Sequence, residues 1–313
     1  MRTTRLAPSP TGALHLGNAR TFLINWLLAR QQAWRIVLRI EDIDGPRIKA
    51  GADRQAIEDL AWLGIDWDEG PIYQSHRLPC YQAMLERLLS EGLAYPCICS
   101  RSEVASAASA PHADDGALVY PGTCRQRFDD LDHARSAGRE PAIRFHVPDE
   151  QVEFEDGFAG RQQCEVAQQL GDFVIAKADG TPAYQLAVVV DDVETGVTDV
   201  VRGDDLIDST PRQILLYRAL GLADRTPRYY HLPLVTGTDG RRLAKRHGDT
   251  RINHYRQQGV PAERLLALLA RWSGVECGEA ITPQQLLDRF ELSNVPHTPI
   301  VFTSEDDRWL VGK

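Results

Sequence analysis

Arg2-Thr3-Thr4-Arg5-Leu6-Ala7-Pro8-Ser9-Pro10-Thr11-Gly12, followed by Ala13-Leu14-His15-Leu16-Gly17-Asn18, is the stretch on which the fold turns. Arg2 to Ala7 reads as a short strand, and the Pro/Gly cluster behind it breaks the run and forms a tight loop. The apolar run Phe22 to Ala29 then supplies a helix, and Ile36-Val37-Leu38-Arg39-Ile40 a short buried strand. Strand, loop, helix, strand is the opening unit of a parallel α/β sheet.

Moving outward, helices are expected at Arg54 to Leu63 and at Arg77 to Glu91, where Leu78, Tyr81, Leu85, Leu88 and Leu89 recur at helical spacing and Gly92 is the stop. From Tyr95 to about Gly180 the pattern breaks into short segments rich in turn residues, and Ala105 to Gly116 reads as a surface loop. Leu186 to Val190 and Val197 to Val201 look like buried strands again. Ser209-Thr210-Pro211 starts a helix over Arg212 to Leu220 that Gly221 stops, and Pro261 to Trp272 and Pro283 to Phe290 are helical. The expected fold class is α/β: a Rossmann-like parallel sheet split by an insertion, followed by a small helical C-terminal region. The expected organisation is 1–94 and 181–240 for the two halves of the sheet, 95–180 for the insertion, and 241–313 for a basic loop and helical region.

A chain of 313 residues exceeds what one hydrophobic core usually holds, so two or three packed units are expected. A net charge of −9 excludes a nonspecific nucleic-acid coat, whose binding depends on neutralising many phosphates. One basic cluster stands against that background: Arg241, Arg242, Lys245, Arg246, Arg251 and Arg256. No window approaches the roughly 18 apolar residues of a spanning helix and no apolar signal core follows the N-terminus, so a cytoplasmic protein without a membrane partner is expected. The six cysteines are accordingly read as reduced thiols or metal ligands.

Two segments carry the chemistry. His15-Leu16-Gly17-Asn18 lies where a loop enters a helix, the place where backbone N–H groups and the helix dipole favour phosphate. Gly17 allows close approach of a nucleotide, and His15 can donate to phosphate oxygens, although a histidine there also serves as a cap. Downstream, Gly240-Arg241-Arg242-Leu243-Ala244-Lys245-Arg246-His247-Gly248 is a glycine-bounded cationic loop. Such a loop suits the charge that builds on a phosphorus centre and its leaving pyrophosphate, or else is a solvated basic turn.

Taken together, in this order and around a split α/β core, they resemble the paired ATP-binding signatures of class I aminoacyl-tRNA synthetases. The Arg5 to Gly12 loop, His15 to Asn18, Arg39-Ile40-Glu41-Asp42, Tyr73-Gln74-Ser75, Arg202-Gly203-Asp204-Asp205 and Leu243 to Gly248 all resemble the glutamyl branch. The resemblance implies ATP with Mg2+ at His15, Gly17, Asn18, Arg242 and Lys245, with His15 and Lys245 catalytic. It implies L-glutamate at Arg5, Ser9, Glu41, Tyr184 and Arg202: Glu41 and Ser9 at the amino-acid end, Arg5, Tyr184 and Arg202 on carboxylate oxygens. Arg242 and Ala244 depart from the usual lysine and serine of the downstream loop, and Asn18 from the usual histidine of the upstream one.

Cys97-Ile98-Cys99 and Cys124 offer three soft ligands where structural zinc takes four. By resemblance to zinc sites in this branch, Tyr120 is the fourth ligand and one structural Zn2+ binds per chain; His112 is a nearby alternative. Cys80, Cys164 and Cys277 have no partners in the sequence. The stretch from Asp249 to Lys313 suffices for one small helical unit and no separate anticodon-binding domain. That resembles the shortened paralogue which transfers glutamate to queuosine in the anticodon loop of tRNA-Asp, and a monomer is expected. The alternatives are a truncated conventional enzyme charging the 3′ end of tRNA-Glu, and a nucleotidyltransferase or zinc-bearing adaptor with no RNA substrate.

Overall fold

The computed structural model describes residues 1–43, 45–107, 119–243 and 248–312. Strand β1 (Thr3–Leu6) leads through the Pro/Gly loop into α1 (Leu16–Gln31) and returns as β2 (Arg35–Ile40), as the opening sequence reads. Then come α2 (Ala52–Trp62), β3 (Glu69–Tyr73) and α3 (Leu78–Ser90). The middle of the chain is short pieces: β4 (Ala94–Cys97), α4 (Arg101–Ala107), α5 (Leu131–Ser136), β5 (Ala142–Phe145), β6 (Gln151–Asp156), β7 (Gly160–Glu165), α6 (Val166–Gln169) and β8 (Val174–Ala176). It continues with α7 (Tyr184–Thr195), β9 (Asp199–Gly203), α8 (Ser209–Ala219), β10 (Arg228–Leu232) and β11 (Val235–Thr236). The last elements are α9 (Ile252–Gln257), α10 (Ala262–Trp272), α11 (Pro283–Arg289), β12 (Ile300–Val301) and α12 (Ser304–Val311).

Strands β1, β2 and β3 form one parallel block, while β9, β10 and β6 form another with β7 antiparallel at its edge. The blocks meet between β1 and β9: Thr198 N donates to Thr3 O at 2.8 Å, and Thr3 N to Thr198 Oγ1 at 2.9 Å. The C-terminal ends of β1, β2 and β9 therefore open onto one crevice, the usual place for a ligand on such a sheet. Strands β4, β5 and β8 make a separate small antiparallel sheet.

One expectation is corrected. Leu186 to Val190 is not a strand but the middle of α7, closed by Gly196 in the left-handed conformation. Its apolar residues are buried on every side, so no helical stripe shows, and a short apolar run of this kind reads equally as a buried strand. The surface-loop reading of Ala105 to Gly116 meets the last turn of α4 at Ala105; residues 108–116, with His112, lie outside the described residues.

Buried polar side chains fix α1 in place. Asn25 Nδ2 donates to Arg5 O at 2.9 Å, and Asn25 Oδ1 accepts from Thr4 Oγ1 at 2.9 Å, tying the helix to β1. Arg20 donates to Pro233 O at 2.7 Å and Trp272 O at 3.1 Å, tying it to the turn after β10 and to the end of α10. One apolar core runs through Leu23, Leu27, Ile36 and Leu38 to Leu265, Leu269 and Leu310, so the C-terminal helices share the core of the first half. A second core joins α3, α7, α8 and β10, and a small third one surrounds Cys97, Tyr120 and Cys124. Among the described residues no helix is long and apolar enough to cross a membrane.

Candidate active site

The crevice holds a cavity of about 1210 Å³, lined among others by Arg5, Ser9, His15, Gly17, Asn18, Glu41, Tyr184, Arg202 and Arg242. All the described residues expected at ATP and glutamate thus face one space. Lys245, with Ala244, lies outside the described residues.

His15 caps α1. Its Nδ1 accepts from Gly17 N at 3.1 Å and Asn18 N at 3.4 Å, while Asn18 Oδ1 receives His15 N at 3.5 Å. An accepting Nδ1 leaves the ring proton on Nε2. Burial and the positive charge of Arg242 push His15 down to about 4, so the ring stays neutral near pH 7. Gly17 has a local duty too: a Cβ there would stand 3.0 Å from His15 Cε1 and 3.1 Å from Nδ1, pushing the capping ring aside. The backbone brings the downstream loop to this helix start. Leu16 N donates to Thr250 O at 3.0 Å and Ile252 N to Leu14 O at 2.9 Å, pairing His15 with Arg251. On the other side of the loop Arg242 Nη1 meets Asp205 Oδ2 at 2.5 Å.

The other end of the crevice is an arginine–carboxylate cluster. Arg39, fully buried, donates to Asp192 Oδ1 at 2.6 Å and Glu41 Oε1 at 3.2 Å. Arg5 Nη1 donates to Val201 O at 3.3 Å, whereas its buried Nε has no hydrogen-bond partner and lies 3.7 Å from Asp192 Oδ1. Burial pushes the Glu41 carboxyl up, opposed by Arg39 and Arg5, and pushes the Arg5 guanidinium down. Arg202 donates from Nη2 to Thr210 Oγ1 at 2.7 Å, from Nη1 to Gln213 Oε1 at 3.0 Å and to Tyr184 OH at 3.5 Å, and from Nε to His231 Nε2 at 3.0 Å. Ser9 Oγ reaches the Glu41 carbonyl at 3.4 Å. Two guanidinium groups, a phenol and a half-buried carboxylate in one recess match an amino acid with two carboxylates and one ammonium.

Several contributors escaped the sequence reading. Arg39 stood inside a quoted motif without a task; Asp191 and Asp192 directly follow the run misread as a strand. Asp42 and the Tyr73-Gln74-Ser75 segment brace the floor: Asp42 accepts from Ser75 N at 2.8 Å, and Gln74 Nε2 donates to Asp191 Oδ2 at 2.8 Å. His231 and Asp156 are far apart in the chain and carry no local pattern that would join them.

Cys97, Cys99 and Cys124 converge, their sulfurs within 4.8 Å of one another, with Cys99 and Cys124 3.5 Å apart. Tyr120 OH lies 3.4 Å from Cys97 Sγ and 3.5 Å from Cys99 Sγ, and accepts from Cys124 N at 2.8 Å. Zinc–sulfur bonds of about 2.3 Å in a tetrahedron put sulfurs about 3.8 Å apart, so this donor set fits the ion. Arg144 donates to Cys97 Sγ at 3.3 Å and lies 3.8 Å over the Tyr120 ring. All six cysteines are free.

A family profile described as "tRNA synthetases class I (E and Q), catalytic domain" matches residues 2–309. The chain belongs to this family. Membership makes it a ligase that uses ATP with Mg2+. It is 49% identical to the glutamyl-Q tRNA(Asp) synthetase of Symbiobacterium thermophilum over 98% of both chains, and 48% identical to that of Rhodopirellula baltica over 95% of both. Against the glutamate–tRNA ligase 1 of Alkalilimnicola ehrlichii it is 43% identical over 98% of its own length and 64% of the relative's. Among solved structures, a glutamate tRNA ligase of Elizabethkingia meningosepticum in complex with its amino acid superimposes with a TM-score of 0.81 at 28% identity, covering 99% of this chain and 68% of that one. The Rossmann-like α/β class read from the opening motif is the class these relatives share.

Proposed function

We propose that this protein activates L-glutamate with ATP and transfers it to queuosine in the anticodon loop of tRNA-Asp. The observation that carries the reading is the near end-to-end match, at 48–49% identity, to relatives named glutamyl-Q tRNA(Asp) synthetase, supported by a crevice lined by Arg5, Glu41, Tyr184 and Arg202. In the first step the glutamate α-carboxylate attacks the α-phosphorus of ATP in line, forming glutamyl-adenylate and releasing pyrophosphate. Arg5, Tyr184 and Arg202 hold carboxylate oxygens, with Glu41 and Ser9 at the amino-acid end. The neutral His15 donates from Nε2 to phosphate, beside Gly17 and Asn18, and Lys245 and Arg242 neutralise charge on the phosphates. Mg2+ carried with ATP supplies further charge neutralisation. In the second step a hydroxyl of the queuosine cyclopentene ring attacks the activated carbonyl and AMP leaves. Positioning and electrostatics account for the catalysis without a general base.

The same reading assigns one structural Zn2+ per chain to Cys97, Cys99, Tyr120 and Cys124, supported by their convergence. Every proposed ligand comes from one chain, in keeping with a monomer. Glutamate-dependent exchange of pyrophosphate into ATP tests the activation step. Exchange that requires glutamate is expected; none with any amino acid would favour an adaptor or another nucleotidyl transfer.

A further inference from the structure

Arg202 is aimed by a buried pair that none of the proposed ligand contacts uses. Asp156 ends β6, and His231 lies on the neighbouring strand β10. Both are buried, and His231 Nδ1 is 2.6 Å from Asp156 Oδ2. The other carboxylate oxygen, Oδ1, accepts three backbone N–H groups: Phe158 at 2.9 Å, Ala159 at 2.7 Å and His231 itself at 3.1 Å. With Oδ1 so occupied, Oδ2 is left to accept the Nδ1 proton, which fixes the histidine tautomer. Nε2 is then an acceptor. It receives Arg202 Nε at 3.0 Å and stands 3.2 Å from Thr210 Oγ1, which itself accepts Arg202 Nη2 at 2.7 Å. Burial pushes His231 below its ordinary pKa, against the pull of Asp156, and keeps the ring neutral.

We infer that Asp156 and His231 are positioning residues for glutamate recognition: Asp156 sets the His231 tautomer, and His231 holds one edge of Arg202, fixing the guanidinium that meets the substrate carboxylate. The inference rests on the glutamate reading of the crevice. Its chemistry has a sharp consequence at Asp156→Asn. The three backbone donors claim the amide oxygen, so the amide N–H faces His231 Nδ1, the ring proton moves to Nε2, and two donors confront each other at Arg202 Nε. Charged hydrogen bonds of this sort are worth enough that the mispaired guanidinium turns away.

The test is glutamate-dependent pyrophosphate exchange on the whole protein, with KM for glutamate, KM for ATP and kcat measured separately. Asp156→Asn is expected to raise KM for glutamate about tenfold or more, leaving KM for ATP within about twofold and kcat within about threefold. His231→Gln places an amide oxygen where Nε2 stood, so KM for glutamate stays within about threefold of wild type. Adding Asp156→Asn to it then changes that KM by less than about twofold, because no tautomer remains to be set. Should a melting curve show Asp156→Asn unfolded, His231→Leu against His231→Gln decides, with loss expected only for leucine. An Asp156→Asn enzyme with unchanged KM for glutamate, or glutamine and leucine at position 231 raising it equally, overturns the inference. Absence of glutamate-dependent exchange in the wild-type protein would instead refute the glutamate reading itself.

Discussion

The observed role of His15 and its proposed one fall on different nitrogens and can be separated. Nδ1 caps α1, while the proposed donation to phosphate comes from Nε2. Asparagine caps helices as well as any residue and places its oxygen near Nδ1, but has no counterpart to Nε2. His15→Asn is expected to keep stability to within about 0.5 kcal/mol and to lower the exchange rate about tenfold or more. Equal loss of stability and rate would reduce His15 to a cap. The depressed pKa adds a pH effect of definite sign. The unfolded ring protonates near 6.5 and the folded ring only near 4, so the stability due to neutral His15 is complete above pH 6.5, declines as pH falls toward about 4, and levels off below. Urea midpoints from pH 7 to 4 should fall less steeply in His15→Asn than in wild type. At this scale the sequence was legible where function sits in contiguous motifs, as at His15-Leu16-Gly17-Asn18 and Arg202-Gly203. It was silent on Asp156, Asp192 and His231, because their meaning arises only when β6, α7 and β10 come together.

At the scale of elements, sequence reading succeeded where caps and periodicity agreed. Helix α3 has its apolar residues on one face and Gly92 just beyond, and α10 starts directly after Pro261. It failed at α7, which lies between sheet and helix and so has no polar face, while Asp191 and Asp192 are buried by pairing with arginines. The cysteine cluster is a further element-scale unit. Among the described residues its local core is Cys97, Val104, Tyr120 and Cys124 with a few partly buried neighbours. About one zinc per chain is expected in protein purified without chelator, falling to well under half in Cys124→Ser, with faster proteolysis between Cys97 and Cys124. A metal-free wild-type protein with the same proteolysis rate would remove zinc from the account.

At the scale of the whole molecule, His15, Gly17, Asn18 and Arg242 share one crevice with Arg5, Glu41, Tyr184 and Arg202, in a chain of net charge −9. Part of the basic cluster is paired with carboxylates, Arg242 with Asp205 and Arg251 with Asp249. The acceptor is therefore expected to be recognised by the fit of the modified base at the crevice, with few phosphate contacts and a modest dependence on salt. The chain aligns over nearly the whole length of the glutamyl-Q synthetases and over 64% of a glutamate–tRNA ligase of the same family, and the two activities differ in where the glutamate ends up. The most direct measurement offers radiolabelled glutamate and ATP to a tRNA-Asp anticodon stem-loop carrying queuosine, to the same stem-loop with guanosine, and to intact tRNA-Glu. Label on the queuosine stem-loop alone is the predicted result; label on the 3′-terminal adenosine of tRNA-Glu, with none on the stem-loop, would contradict it.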